Sequence, residues 1–231
     1  MFLLINKPAG ITSHDVILGL RKITGEKTIG HAGTLDPFAT GLLIVAVGRE
    51  STSWLQKFLK LDKEYTATLR LGTATDTHDK TGKLLPAKLS TPSSQLPALN
   101  KKQIKNVLKN FTGKQLQTPP MYSAKKVAGQ KLYQLARQGQ TVERVPQRIT
   151  IYQIKLLSYH YPELKIRVAC SSGTYLRTLA HDIGQQLGCG AYLEELQRTK
   201  IGKYKLRQAV TLDKLTVNNW QKFGVKMGVT N

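Results

Sequence analysis

Three features of this chain predict an α+β fold. Two segments alternate apolar and polar residues with a period of two, Glu64 to Leu71 and Leu164 to Cys170, the pattern of half-buried strands. The run LLIVAVG from Leu42 is continuously apolar, as in a strand buried on both faces. Between and after these, apolar residues recur at helical spacing, and the segments are joined by short turns.

Taken in order, Ser13 is placed to cap a helix whose apolar positions include Val16, Leu20 and Ile23. A glycine-rich loop and the buried strand Leu42 to Val47 follow. Ser51 can cap a second helix burying Trp54, Leu55, Phe58 and Leu59. In the next strand Tyr65, Ala67, Leu69 and Leu71 share one face, opposite Thr66, Thr68 and Arg70. Prolines, serines and glycine over 82–100 mark a connecting loop. Asn100 then caps a basic helix with Ile104, Val107, Leu108 and Phe111 inward. Pro119 and Pro120 end regular structure before Met121 and Tyr122, and Lys125 to Gly139 reads as a basic hairpin or helix. In the second alternating strand Leu164, Ile166, Val168 and Cys170 share a face. SSGT turns the chain into a helix carrying Leu176, Leu179, Ile183 and Leu187, which stops at Gly188. Arg177 falls in its first turn, beside the apolar stripe.

Lysine and arginine total 35 against 14 acids, a formal charge of +21 over 231 residues. That imbalance says nothing of fold but favours a polyanionic partner. From Lys80 to Val142 there is no acid at all, and after Glu195 only Asp213. Neutralising phosphates with such surfaces releases counterions, so binding should weaken steeply with salt. Cys170 and Cys189 have no CxxC spacing and are expected to be reduced packing residues. His14, His31, His78, His160 and His181 are scattered without ligand spacing, so no metal is expected. The apolar start ends at Asn6, Lys7 and Pro8, too early for a secretory signal, and the expected compartment is the cytoplasm.

The most informative stretch is GHAGTLDPFATG, residues 30–41. It isolates one carboxylate, Asp36, among Gly30, Gly33 and Gly41, stiffened by Pro37 and anchored by the buried strand behind it. An Asp before Pro in a loop is more often a turn residue when it stands alone. Here it does not. The block, together with NKPAGITSHD, KEYTATLRLGTATDT, PPMYSAKKVAGQKLYQLARQG and SSGTYLRTLAHDIG, closely resembles the motifs of the tRNA pseudouridine synthase B family, in the family's order from Leu3 to about Tyr204.

The resemblance implies the pseudouridine synthase fold: a mixed, mostly antiparallel sheet with flanking helices and a central RNA-binding cleft. It also implies isomerisation of uridine-55 in the TΨC loop of tRNA. Nothing is oxidised and no group is donated, so no cofactor is expected. This agrees with a sequence lacking dinucleotide, phosphate-loop and zinc motifs. Breaking a glycosidic bond develops positive charge on the sugar, which an ionised carboxylate can stabilise or trap. Asp36 would attack the ribose C1′ or remove a proton from C2′, and the sequence leaves both routes open. By resemblance Arg177 is its electrostatic partner, and Tyr65 stacks on or exchanges a proton with the uracil. His31 occupies the place left by the flipped base. Lys7, Asp76, Tyr175 and Leu196 support the pocket, and Lys125 and Lys126 belong to a part that closes on RNA.

The expected organisation is a catalytic domain over 1–210 with a basic RNA-binding insertion at about 121–145. Residues 211–231 would then form a short C-terminal tail, too few for the PUA-like RNA-binding domain that bacterial members usually carry. The expected partner is the T stem-loop of tRNA, with neither membrane nor small-molecule cofactor, and the expected state is a monomer. Two other readings share the basic surface: a tRNA-folding protein without catalysis, and a base hydrolase that releases uracil. An intact Asp36, Tyr65 and Arg177 set disfavours the first, and product analysis separates all three.

Overall fold

The computed structural model describes residues 1–85, 99–127 and 129–225. The connecting loop expected over 82–100 falls largely on 86–98, outside the described residues. The chain runs through β1 (Phe2–Lys7), α1 (Ser13–Thr24), β2 (Ile29–His31) and β3 (Thr40–Val47). Two short helices, α2 (Arg49–Thr52) and α3 (Leu55–Leu59), precede β4 (Lys63–Leu71). Then come α4 (Lys101–Asn110), β5 (Gly113–Gln117), β6 (Lys126–Val127), β7 (Gln130–Lys131) and α5 (Leu132–Arg137). The long strands β8 (Gln147–His160) and β9 (Glu163–Cys170) lead to α6 (Leu176–Gln186) and β10 (Ala191–Ile201). After β11 (Tyr204–Lys205) come three 3-10 turns, at Leu206–Gln208, Leu212–Lys214 and Trp220–Phe223, and finally β12 (Gly224–Val225).

These elements form two compact units, Met1–Tyr65 with Leu196–Asn231, and Thr66–Glu195. Strands β4 and β10 each contribute residues to both. In the first unit β1 pairs antiparallel with β3 and β12, and β2 pairs antiparallel with β3. β10 joins β3 in parallel, at Gln197↔Thr40 and Arg198↔Gly41. The reason LLIVAVG is apolar at every position is now visible. Leu43, Val45 and Val47 pack with Val16, Ile17 and Leu20 of α1, while Leu42, Ile44 and Ala46 pack with Phe58, Ile201 and Tyr204. A strand covered on both faces has no polar side to display. Residues 206–225 also belong to this core: Val210 and Leu215 are buried in it, and Val210 exchanges backbone bonds with Leu4 and Asn6.

In the second unit β8 pairs antiparallel with β5 and β9, and β4 lies beside β9. Leu164, Ile166, Val168 and Cys170 are buried, as their alternation predicts. Helix α4 packs on β8 and α6 through Ile104 and Leu108. Its N-cap is Asn100, which accepts from the Gln103 amide while the Gln103 side chain accepts from the Asn100 amide. Both cysteines are free and buried. Among the described residues no helix is long and apolar enough to cross a membrane.

Three local expectations need correction. Thr12, not Ser13, caps α1, in a reciprocal arrangement with Asp15; the Ser13 hydroxyl is buried and used elsewhere. Ser51 lies inside α2 and accepts from the amino group of Met1 rather than capping. The single helix expected there is two. The hydroxyls of Thr52 and Ser53 donate to the carbonyls of Arg49 and Glu50, competing with the helical ladder. The segment 125–139 is both alternatives at once, the β6–β7 hairpin followed by α5.

Candidate active site

In the first unit Asp36 sits half-buried on the loop that joins β2 to β3. This loop is fastened along its length. The Ala32 amide donates to the Ile44 carbonyl (2.9 Å), Ala39 to the Asp36 carbonyl (3.1 Å) and Gly10 to the Pro37 carbonyl (2.9 Å). The Ser13 hydroxyl accepts from the Leu35 amide at 2.9 Å, which is why this serine is not a cap. Ala32, Leu35, Phe38 and Ala39 are buried, so the apolar neighbours of the acid face inward. Close bonding on both sides of one carboxylate leaves it little freedom.

Two buried cations complete the arrangement. Lys7, at the end of β1, is fully buried and donates to the carbonyls of Pro8 (2.7 Å), Ile11 (2.7 Å) and Pro37 (3.2 Å). Burial lowers its pKa to about 8; the charge of Arg198 pushes the same way, and Asp36 opposes it. Arg198, also buried, donates from Nε to the Leu42 carbonyl (2.8 Å) and from Nη2 to the Gly33 carbonyl (2.9 Å). His31 ends β2 half-buried, its Nδ1 buried without a hydrogen bond. Its pKa is lowered by burial first, and then by Arg198 and His14, so the ring is neutral near pH 7. Tyr65 and Leu196, at the unit's boundaries, are both buried.

The second unit holds the other predicted residues. Arg177 is not beside the buried stripe of α6 but within the buried surface, 5% exposed. Its Nη1 lies 3.4 Å from Oδ2 of Asp79, which is equally buried, and its Nη2 donates to the Tyr122 carbonyl at 2.6 Å. Asp79 is held in turn by the Thr77 hydroxyl and the Thr81 amide, each at 2.9 Å from Oδ1. Asp76 is exposed, and accepts from the Lys83 amide as a turn residue. Within the second unit Arg177 pairs with Asp79, an acid outside the expected site residues. The available signal was the TDTHDKT segment, in which Thr77 and Thr81 flank Asp79 and are suited to hold its carboxylate from both sides. The backbone of Tyr175, at the N-cap of α6, is clamped by the Gln117 side chain, whose Oε1 accepts from the Tyr175 amide (2.8 Å) and whose Nε2 donates to the Tyr175 carbonyl (3.1 Å).

Near the ion pair His78 and His181 stack with ring centroids 4.0 Å apart. Burial, then His181, Arg177 and Arg144, lowers the His78 pKa to about 4, so this ring too is neutral. Lys125 is half-buried and Lys126 exposed at the start of the basic hairpin. The helix α5 that follows the hairpin is anchored by buried Leu132 and Leu135, and carries Tyr133 between Lys131 and Arg137, at 5.6 and 5.4 Å from its ring. Aromatic rings flanked by cations suit stacked bases and phosphates.

A sequence model described as the TruB family pseudouridylate synthase N-terminal domain matches residues 21–176, and one for the tRNA pseudouridylate synthase B C-terminal domain matches 177–224. The tRNA pseudouridine synthase B of Protochlamydia amoebophila is 50% identical over 208 residues, covering 90% of this chain and 76% of that protein. The chain belongs to the TruB family of pseudouridylate synthases. The enzyme of the same description from Opitutus terrae is 46% identical, over 91% of this chain and 85% of its own length. Among solved structures, a Cbf5-Nop10-Gar1 complex matches with a TM-score of 0.71 and 29% identity, covering 97% of this chain and 56% of its own. An H/ACA RNP bound to a substrate RNA containing 2′-deoxyuridine gives 0.69 and 28%, with the same coverage. The fold expected of a TruB-type synthase, mixed and mainly antiparallel, is the one observed.

Proposed function

We propose that this TruB-family chain isomerises uridine to pseudouridine in tRNA, at uridine-55 of the TΨC loop, with Asp36 as the reacting carboxylate. The observation that carries the reading is the Asp36 loop: one half-buried acid, bonded on either side to the body of the first unit, in a family whose relatives are named for this reaction. The uridine leaves its stack to reach the acid, since a stacked base is inaccessible. Asp36 then stabilises the sugar as the N1–C1′ bond breaks, by attack on C1′ or by taking a C2′ proton. The uracil turns, C5 bonds to C1′, and the C5 proton is lost while N1 gains one. The product has the atoms of the substrate, so the chemistry draws on no donor.

Tyr65 serves the uracil by stacking and proton exchange, and Arg177 supplies a buried cation. Neutral His31 is suited to the space a flipped base leaves, with Lys7, Tyr175 and Leu196 as supports. Asp76 is an exposed turn residue. Lys125 and Lys126 contact phosphate.

The test is release of tritium from tRNA carrying [5-³H]uridine, without added cofactor, with products resolved as nucleosides. Release at one T-loop uridine with no free uracil is expected. Free uracil would make the chain a hydrolase, and tight salt-sensitive binding without release a tRNA-folding protein. Asp36→Asn should retain tRNA affinity and lose at least about 10²–10⁴ in turnover, the range for a positioned acid–base group. Turnover near the wild-type rate would remove Asp36 from the chemistry.

A further inference from the structure

We propose that Arg198 is the positioning residue of the Asp36 loop. The inference rests on the Asp36 reading above and adds to it a residue outside the five motifs that identify the family. Its side chain is 1% exposed, and its two bonds reach the carbonyls of Gly33, before the acid, and of Leu42, after it. One planar group thus ties both ends of the loop. Only a guanidinium does this, because its donors diverge at fixed angles in one plane, whereas an ammonium is a single point.

The backbone of Arg198 is fixed to the same loop. It pairs in parallel with Gly41, the last glycine of the motif. A Cβ at Gly41 would overlap the Arg198 peptide, and Gly41 adopts φ +106°, so glycine is required there for a reason of packing as well as conformation. Gly41 and Arg198 therefore act as a matched pair, one yielding the space the other occupies. Within β10, Arg198 is buried on the same face as Leu196, where an apolar side chain would be the simpler solution for stability. A buried charge is costly, and what this one obtains is a loop held in a single conformation. Its charge also reaches the functional residues around Asp36, pushing down the pKa of both Lys7 and His31. The same field favours the ionised form of a nearby carboxylate.

The experiment compares wild type, Arg198→Lys, Arg198→Met and Asp36→Asn in the tritium-release assay, with tRNA affinity measured separately and all assays run below each variant's unfolding temperature. Arg198→Lys keeps the charge and loses the fork; kcat should fall by about 10²-fold, the cost of misplacing a catalytic group by about 1 Å, with KM and tRNA Kd within twofold. Arg198→Met should lose at least as much and also move the acidic limb of the kcat–pH profile upward, which a purely structural role would not do. Should Arg198→Met fail to fold, the Lys variant carries the test alone. Wild-type kcat in Arg198→Lys, or a loss shared equally by Kd, overturns the proposal while an inactive Asp36→Asn leaves the Asp36 reading standing. An active Asp36→Asn overturns both.

Discussion

Replacing Asp79 by asparagine isolates the buried ion pair of the second unit. The side chains of Arg177 and Asp79 are 5% and 4% exposed, with nitrogen and oxygen 3.4 Å apart. Asparagine keeps the Oδ1 acceptor that binds the Thr77 hydroxyl and the Thr81 amide. It puts an amide donor where Oδ2 faced the guanidinium, so two donors oppose each other and the buried guanidinium loses this carboxylate contact. Breaking a buried pair from one side costs about 3–5 kcal/mol. For a chain of this size each kcal/mol lowers Tm by about 2–4 °C, which gives a fall of about 6–20 °C. Thermal unfolding by circular dichroism measures it directly. The fall should be nearly the same at low and high salt, because a buried pair is weakly screened. In Asp79→Asn/Arg177→Met the two losses should fall short of additivity, by about 0.5–3 kcal/mol, since the two side chains share one contact. A Tm within 2 °C of wild type, or strict additivity, would refute the reasoning (about 0.5 kcal/mol on the same scale).

Lys7 supplies a pH test. Its pKa is near 8 in the folded chain against 10.5 for the free side chain, so the unfolded chain binds more protons between those values and stability contributed here rises with pH across that window. The difference in unfolding free energy between wild type and Lys7→Met should therefore move in favour of wild type from pH 8 to 10, by about 2–3 kcal/mol; a flat difference would mean Lys7 titrates normally. Lys125→Ala/Lys126→Ala should weaken tRNA binding and reduce the slope of log K against log salt by up to about 1.4–1.8, at about 0.7–0.9 per phosphate contact. An unchanged slope would take the hairpin out of the RNA interface.

Local rules read well wherever one physical cause acted alone. The continuous run of β3, the alternation of Tyr65 to Leu71 and of Leu164 to Cys170, and the Asn100 cap follow from periodicity and hydrogen-bonding chemistry, and the structure has them. Reading failed where a polar side chain had a distant partner. Ser13 looks like a cap, yet its hydroxyl is taken by the Leu35 amide, and the cap passes to Thr12. Ser51 is taken by the chain's own amino group. Both residues are chemically able to do either task, and sequence-local propensity cannot weigh a contact made across the fold.

The same division runs through the candidate site. The glycine-framed Asp36, the basic hairpin and the family itself were determined by the sequence, because residue type and spacing within short motifs suffice to mark them. Only the tertiary structure decided that Arg177 pairs with Asp79, an acid outside the expected site residues, and that Arg177 is buried. It also decided that the Asp36 loop hangs from Lys7 and Arg198, which lie on β1 and β10. An arginine reads as surface from its sequence, since burying its charge is unfavourable unless carbonyls or a carboxylate are waiting for it. Those partners are supplied by strands far apart in the chain, and they exist only once the sheet has formed.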